Sequence, residues 1–208
     1  MRLFFISSLL TFLLSCQPSE AQQQTENTPS TTIDTTQFAH VFQPWDGHWK
    51  GQFMVYGHEE GQVEGPVQPR EISKATLDQM PLRENLRIDV EQHYVSTSPY
   101  YQTVAITDTY RDSNDSLRIV ESSGYNQVTP EGMICVVNKP DEQVRHQGSV
   151  LQPGTITWER HLSHPVKVEY FYETATDSFY TIIGWGYYGS DDTTQAPQTW
   201  FFGQYAKQ

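Results

Sequence analysis

Residues 86–91 read Leu-Arg-Ile-Asp-Val-Glu, an unbroken alternation of apolar and charged side chains. Successive side chains of a β-strand point to opposite faces, so a period of two predicts a strand with one buried and one solvated face. Most of the chain after residue 48 has the same character and is rich in aromatic and β-branched residues, which strands favour. The sequence therefore predicts an all-β domain.

Turn-forming segments such as residues 112–115 (Asp-Ser-Asn-Asp) and 152–154 (Gln-Pro-Gly) separate the other predicted strands. Many antiparallel strands joined by short loops favour an up-and-down barrel of about eight to ten strands, because closure removes exposed edges. A flat or sandwiched sheet is the alternative. Residues 38–42 are predicted to form a short helical turn that covers one end. The predicted strands span residues 49–56, 86–91, 101–111, 116–124, 133–138, 143–151, 155–162, 167–174, 178–188 and 199–206, with residues 70–75 as one further candidate.

The first 15 residues have the layout of a secretory signal, with Arg2 ahead of an apolar run that ends in Leu13-Leu14-Ser15-Cys16. The apolar run is shorter than the about 20 residues that a membrane-spanning helix needs. Its ending resembles a bacterial lipobox. The resemblance implies cleavage before Cys16, a lipid thioether on its sulfur and an anchor of several acyl chains such as palmitate. The alternative is ordinary secretion, with Cys16 upstream of the cleavage point.

Residues 16–37 are rich in Gln, Thr, Ser, Glu and Pro and lack clustered apolar groups, so they are predicted to form a disordered tether. Residues 38–208 then form the barrel domain. A lipid on Cys16 predicts a protein of the bacterial cell envelope whose membrane contact is the anchor. Gln17 occupies the position where an aspartate often marks inner-membrane retention, so its identity favours the outer membrane.

The chain carries a formal net charge of −12. Such an acidic surface argues against nucleic acid as a partner, because that binding depends on Lys and Arg side chains that neutralise phosphates. After lipidation of Cys16 only Cys135 keeps a free thiol, so no intrachain disulfide is expected. The sequence contains no G-x-S-x-G, P-loop, H-E-x-x-H or C-x-x-C motif and predicts neither a metal nor a cofactor.

The first strand opens with residues 46–51, Asp-Gly-His-Trp-Lys-Gly. The G-x-W pattern of Gly47 and Trp49 resembles the start of the first strand in lipocalins and the wider calycin group. The resemblance implies an up-and-down barrel in which Trp49 closes one end and packs against a late basic residue, which here is Lys207. It also implies an interior that takes a small, partly apolar ligand.

Polar side chains that share a face with apolar ones are the candidates for a ligand site, because a buried charge must find a partner. Arg160, for example, shares its face with Trp158. We expect Arg160 to orient a polar or anionic head group while aromatic residues hold the apolar body. Alternatively, Arg160 pairs with Glu121 or Asp108 as internal structure, or a bulge reverses the faces. The predicted ligand-binding residues are Arg160, Trp158, Glu121, Asp108, Gln92, Tyr94, Tyr170 and Tyr172.

Two other functions fit the same sequence. One is an enzyme, lyase- or isomerase-like, in which Glu121 and Asp108 act as general acid and base in the barrel cavity. The other is a ligand-free envelope interaction module with a filled barrel. An open interior separates the first two functions from the third.

Overall fold

The computed structural model of the chain describes residues 34–58, 73–112, 114–163, 166–189 and 199–208. The predicted signal peptide, the predicted lipidation site Cys16 and residues 16–33 of the predicted tether lie outside the described residues. Residues 34–37 of that tether are described, and the prediction of disorder is wrong there because a 3-10 helix begins at Thr35. No helix in the described ranges is long and apolar enough to cross a membrane.

Ten strands of the described chain form a closed barrel in which every neighbouring pair is antiparallel. Strands adjacent in sequence are adjacent in the barrel, and the last strand pairs with the first. The predicted up-and-down barrel is thus confirmed, and the flat or sandwiched alternative is wrong. The strands are β1 (Gly47–His58), β2 (Leu82–Ser98), β3 (Tyr101–Arg111), β4 (Leu117–Thr129), β5 (Gly132–Asn138), β6 (Gln143–Gln152), β7 (Thr155–Ser163), β8 (Val166–Ala175), β9 (Phe179–Gly189) and β10 (Thr199–Lys207).

A short helix, α1 (Lys74–Gln79), occupies part of the segment that was the candidate for a further strand. The strand prediction for residues 70–75 is wrong from Ser73 onward. The Ser73 side chain accepts a hydrogen bond from the Thr76 backbone N–H at 3.1 Å and so caps the start of the helix. The helix buries Leu77 against the outside of the barrel.

One end of the barrel is closed by two short 3-10 helices, Thr35–Phe38 and Gln43–Trp45. Phe42 and Trp45 are buried in the inner core there. The side chain of Gln102 is fully buried beside them, and its Nε2 donates to the Phe42 carbonyl and to Asp46 Oδ1, each at 2.8 Å. The segment before β1 is therefore fixed to the barrel by hydrogen bonds as well as by apolar burial.

Trp49 lies at the same closed end and is fully buried. Its indole Nε1 donates to the Trp45 carbonyl at 2.6 Å, and the Lys207 ammonium lies over its ring. Gly47 has a φ of 124°, in the range that favours glycine, and a Cβ there would lie 2.7 Å from Lys207 Cε. The G-x-W residues thus place a tryptophan where it closes the barrel.

The barrel has two apolar clusters, one inside and one outside. The inner cluster includes Ile88, Val90 and Trp158. The outer cluster lies on β1, β8, β9 and β10, where α1 covers aromatic residues such as Trp185 and Phe202. Burial of apolar surface on both sides of the same strands means that an apolar side chain there does not by itself mark the inner face.

Candidate ligand-binding site

The interior of the barrel holds a cavity of about 250 Å³. This exceeds the about 150 Å³ of an engineered protein cavity that binds benzene, and it approaches the about 300 Å³ lower end of common ligand pockets. The cavity extends from Tyr180 near the closed end to Tyr110 and Lys139, which lie where β3 and β5 end away from Trp49. Its wall is largely apolar and includes Phe53, Ile88, Val90, Ile106, Val137, Phe171 and Ile182.

Three tyrosines form the inner end of the cavity. The ring of Tyr180 packs edge-on against Trp49, at 5.9 Å between centroids, and against Tyr94, at 6.1 Å. Tyr205 lies 5.0 Å from Tyr180 on the neighbouring strand. Because these rings pack on Trp49 and on each other, they form a rigid aromatic surface facing the cavity.

Glu173 brings a carboxyl group to this aromatic end. It lies on β8 between Ile156 of β7 and Ile182 of β9, two apolar neighbours in register. Burial raises the pKa of Glu173 to about 7, and the nearby donor groups of Trp158 and Tyr180 oppose only part of that rise. The Tyr180 hydroxyl faces Glu173 without forming a well-aligned hydrogen bond. With a pKa of about 7, this carboxyl group is present in both its neutral and its charged form near neutral pH.

Gln92 and Asp108 supply further polar groups to the cavity. Gln92 Oε1 accepts a hydrogen bond from the Tyr94 hydroxyl at 3.3 Å. Burial raises the pKa of Asp108, and the positive charge of Lys139 partly offsets that effect. The cavity wall thus combines apolar side chains with one amide group, two carboxyl groups, the basic side chains of Lys139 and His146, and several tyrosines.

Arg160 lies at the β7 end remote from Trp49 and is 8% exposed. Its Nη1 lies 3.4 Å from Glu169 Oε2, and its Nη2 lies 3.3 Å from Glu142 Oε2. His146 Nε2 lies 3.2 Å from the same Glu169 oxygen, and the Tyr188 hydroxyl donates to Glu169 Oε1 at 2.7 Å. These five residues form a network of ionic contacts and hydrogen bonds beside the cavity, in which Arg160 and Glu169 are buried whereas Glu142 and Tyr188 are 39% exposed.

Glu169 is the centre of this network. Burial acts to raise the pKa of Glu169, but the hydrogen bonds from His146 and Tyr188 and the charges of His146 and Arg160 outweigh it and lower the pKa to about 2. The Glu169 carboxylate is therefore charged throughout the neutral range. Because Arg160 already contacts two carboxylates, its positive charge is largely neutralised within the protein.

The structure brings four of the predicted ligand-binding residues together in the cavity, namely Trp158, Gln92, Tyr94 and Asp108. Arg160 is on the inner face, as predicted, but its partners are Glu169 and Glu142 rather than Glu121 or Asp108.

Four predicted residues do not line the cavity, namely Arg160, which lies beside it, and Glu121, Tyr170 and Tyr172, whose predicted placement is wrong. Glu121 is exposed, whereas the adjacent Ser122 is buried and paired with the inward-facing Ile106. Tyr170 and Tyr172 alternate with Phe171 and therefore point outward. Leu117 and Ile119, the apolar residues that suggested an inner face for Glu121, are 56% and 61% exposed.

Several cavity residues were not predicted from the sequence. Glu173 was detectable, because it shares a face with Phe171, the register neighbour of Trp158. The inward position of Tyr180, Tyr205 and His146 depends on the barrel register and on the second apolar cluster outside. The alternation of apolar and polar residues within one strand does not show that these three side chains point inward.

The described residues contain no group of three or more His, Cys, Asp or Glu side chains placed to hold a metal ion. Cys135 lines the cavity, and burial strongly raises the pKa of its thiol. A thiol that stays protonated is a poor nucleophile and a poor metal ligand. Cys135 therefore contributes to the cavity as a small apolar side chain.

No protein-family model matches the sequence, and no curated protein matches it. Solved structures that resemble the fold include Rv2717c from M. tuberculosis, with 14% identity and a TM-score of 0.47 over 82% of this chain and 99% of that chain. Another, EF1p2_mFAP2b bound to DFHBI, has 15% identity and a TM-score of 0.34 over 82% and 99% of the two chains. A redesigned β-barrel has 13% identity and a TM-score of 0.36 over 82% and 96%. Likenesses at this level assign neither a ligand nor an activity.

Proposed function

We propose that this protein is a lipid-anchored lipoprotein of the bacterial cell envelope, displayed from the outer membrane, whose barrel binds a small, partly apolar ligand. The observation that carries the ligand-binding part is the cavity of about 250 Å³ with an aromatic wall and few polar groups. Pockets of this chemistry are the usual form of small-molecule sites, since apolar burial supplies affinity and convergent polar groups supply orientation. A filled barrel, as expected for a ligand-free interaction module, would lack such space.

The anchoring part rests on the sequence alone. The basic start, the apolar run and the Leu13-Leu14-Ser15-Cys16 ending support cleavage and lipidation at Cys16. Each buried CH₂ of an acyl chain contributes about 0.8 kcal/mol to membrane affinity, so several chains hold a protein firmly.

A cavity-filling variant tests the ligand-binding function. Ile106 lines the cavity, whereas the next residue toward the start of β3, Ala105, is exposed on the outer face. We expect native mass spectrometry of protein purified from its own host to show a co-purifying small molecule in wild type and in Ala105→Trp, and none in Ile106→Trp. A molecule retained equally by both variants, or absent from wild type after saturation with extracts of host metabolites, would contradict the proposal.

Membrane fractionation tests the anchor. Wild-type protein is expected in the detergent-soluble membrane fraction, with a mature mass that includes acyl chains on Cys16. Cys16→Ser, which cannot form the thioether, is expected to lose both the added mass and the cleavage before residue 16. Gln17→Asp, with the cysteine intact, tests whether the residue after it directs the protein to the outer membrane.

The partly buried carboxyl of Glu173 favours an enzyme as the second candidate function. General acids and bases work best when their pKa lies near the working pH, and the pKa of Glu173 is about 7. The exposed Glu121, which the sequence suggested for this role, is not in the cavity. If the bound compound is also converted, Glu173→Gln should abolish its turnover even at saturating concentrations, whereas Glu121→Gln should leave turnover unchanged.

A further inference from the structure

The carboxyl group of Glu173 lacks a cationic partner in the part of the chain that the structure describes. No Lys, Arg or His nitrogen of that part lies within 4.0 Å of it. Its register neighbours Ile156 and Ile182 are apolar. A charged group in such surroundings is unfavourable unless it is paired, so the site either keeps the carboxyl neutral or receives a positive charge from elsewhere.

The surroundings of Glu173 are suited to a cation. The rings of Tyr94, Tyr180 and Tyr205 cluster at this end of the cavity, with centroid separations of 6.1 and 5.0 Å from Tyr180. The face of an aromatic ring attracts a cation, and the attraction grows when the cation is removed from water. Because Tyr180 and Tyr205 are fully buried, the Glu173 carboxylate is the group here that would stabilise the charge of an ammonium group, and Tyr94 is the least buried of the three rings.

The negative charge of the chain also favours a cationic ligand. The chain has a net charge of −12, which raises the local concentration of small cations. Asp108 adds a second carboxyl group to the cavity wall. Within the described ranges, the cationic side chains that line the cavity are Lys139, which is exposed, and His146, which contacts Glu169. Neither is paired with Glu173.

We propose that the ligand carries a protonated amine on a small apolar body, and that this amine pairs with Glu173 at the aromatic end of the cavity. This inference rests on the ligand-binding function proposed above and specifies its ligand class. It also reverses the expectation that Arg160 receives an anionic head group, because Arg160 is already paired with Glu169 and Glu142.

The titration of Glu173 supports this pairing. Its pKa of about 7 means that an approaching ammonium group can displace the proton at little cost near neutral pH. Binding of a permanent cation should therefore release protons below pH 7 and tighten as the pH rises through that value. The other titratable and charged groups that line this cavity are Tyr94, Asp108, Tyr110, Cys135, Lys139, His146, Tyr180 and Tyr205.

Three probes of equal size separate charge from shape, namely benzylamine, benzyl alcohol and benzoate. Titration calorimetry with the full chain at pH 8 is expected to show benzylamine binding about tenfold or more tightly than benzyl alcohol, as for a hydrogen bond to a charged group. Benzoate should bind least. In Glu173→Gln the preference for benzylamine over benzyl alcohol should disappear, while benzyl alcohol keeps its affinity.

Glu121→Gln is the matched control, because it removes the same charge from the outer face. It should keep the preference for benzylamine. If benzyl alcohol binds wild type as tightly as benzylamine, or if Glu173→Gln keeps the preference, the amine inference is wrong while the cavity still binds small molecules. If none of the three probes binds, both the amine inference and the ligand-binding proposal fail.

Discussion

The ammonium group of Lys207 lies 5.0 Å from the centre of the Trp49 ring. These two residues are register partners on β1 and β10, the first and last strands, and their contact joins the two ends of the domain where the barrel closes. A backbone hydrogen bond next to this pair also joins the two strands, since the Gln208 N–H donates to the His48 carbonyl at 2.8 Å. Lys207 therefore stabilises the closure of the sheet, although its own side chain is exposed.

Replacement of Lys207 by methionine keeps the length of the side chain and removes its charge. We expect Lys207→Met to lower the free energy of unfolding by about 0.5–1 kcal/mol, the usual size of an exposed cation–π contact. Lys207→Arg, which restores a cation over the ring, should unfold at the wild-type urea midpoint. An unchanged midpoint in Lys207→Met would mean that the charge does not stabilise the closed end.

We expect replacement of Gln102 to lower the free energy of unfolding more than replacement of Lys207 does. Its side chain bonds Phe42, Asp46 and Asn126, with Asn126 Nδ2 donating to Gln102 Oε1 at 2.9 Å. Gln102→Leu should lower the free energy of unfolding by about 2 kcal/mol, because it leaves the buried Asn126 Nδ2 without its acceptor and removes one hydrogen bond each from the Phe42 carbonyl and Asp46. Thr103→Val, at the next and exposed position of β3, should change it by less than about 0.5 kcal/mol. Equal urea midpoints for the two variants would rule out this role for Gln102.

Glu173 predicts an unusual pH dependence of stability. Its pKa is raised from 4.5 to about 7, so the folded protein holds this proton to a higher pH than the unfolded chain does. The contribution of Glu173 to stability is therefore present in full below pH 4.5 and is lost as the pH rises to about 7. A glutamine side chain cannot titrate, so the variant Glu173→Gln should gain about 3 kcal/mol relative to wild type between those limits. Denaturation curves at pH 4.5, 6 and 8 measure the gain, and a constant difference would show that Glu173 is not buried as described.

The lowered pKa of Glu169 predicts that stability depends on pH in the opposite direction. Its pKa is lowered from 4.5 to about 2 in the folded protein, so its contribution is present above pH 4.5 and is lost as the pH falls toward 2. Glu169→Gln should cost about 3 kcal/mol at pH 7, because it also leaves Arg160 with one carboxylate fewer. The difference from wild type should narrow as the pH falls below 4.5. Glu121→Gln serves as the exposed control, and the same pH profile in both variants would argue against the network.

The strands were predictable because their signals are local. β3 lies where the alternation and the flanking turn residues place it, at Tyr101–Arg111. The closed barrel also followed from sequence, since ten short antiparallel strands otherwise leave exposed edges. The helix at Lys74–Gln79 is six residues long and is defined mainly by the Ser73 cap, so its pattern was too short to separate from that of a strand.

The inner face of each strand was less predictable. Apolar residues lie on both sides of β8, with Phe171 inside and Val168 in the outer cluster, so the residues between them carry no clear sign of direction. Trp158 and Arg160 were assigned to the correct face because their strand alternates cleanly. Glu121 was not, because Leu117 and Ile119 are apolar although they face solvent. Which of these side chains face the interior depends on the register between strands that are distant in sequence, and the sequence does not show that register.

Within the part of the chain that the structure describes, Trp49 and Tyr180 pack together at one end of the cavity, and Tyr110 and Lys139 line its opposite end. For a small molecule bound as proposed, exchange past these two side chains would influence how long it stays. Substitutions at these two positions should therefore change the association and dissociation rates together. Such variants would let the kinetics of this protein be adjusted without altering what it recognises.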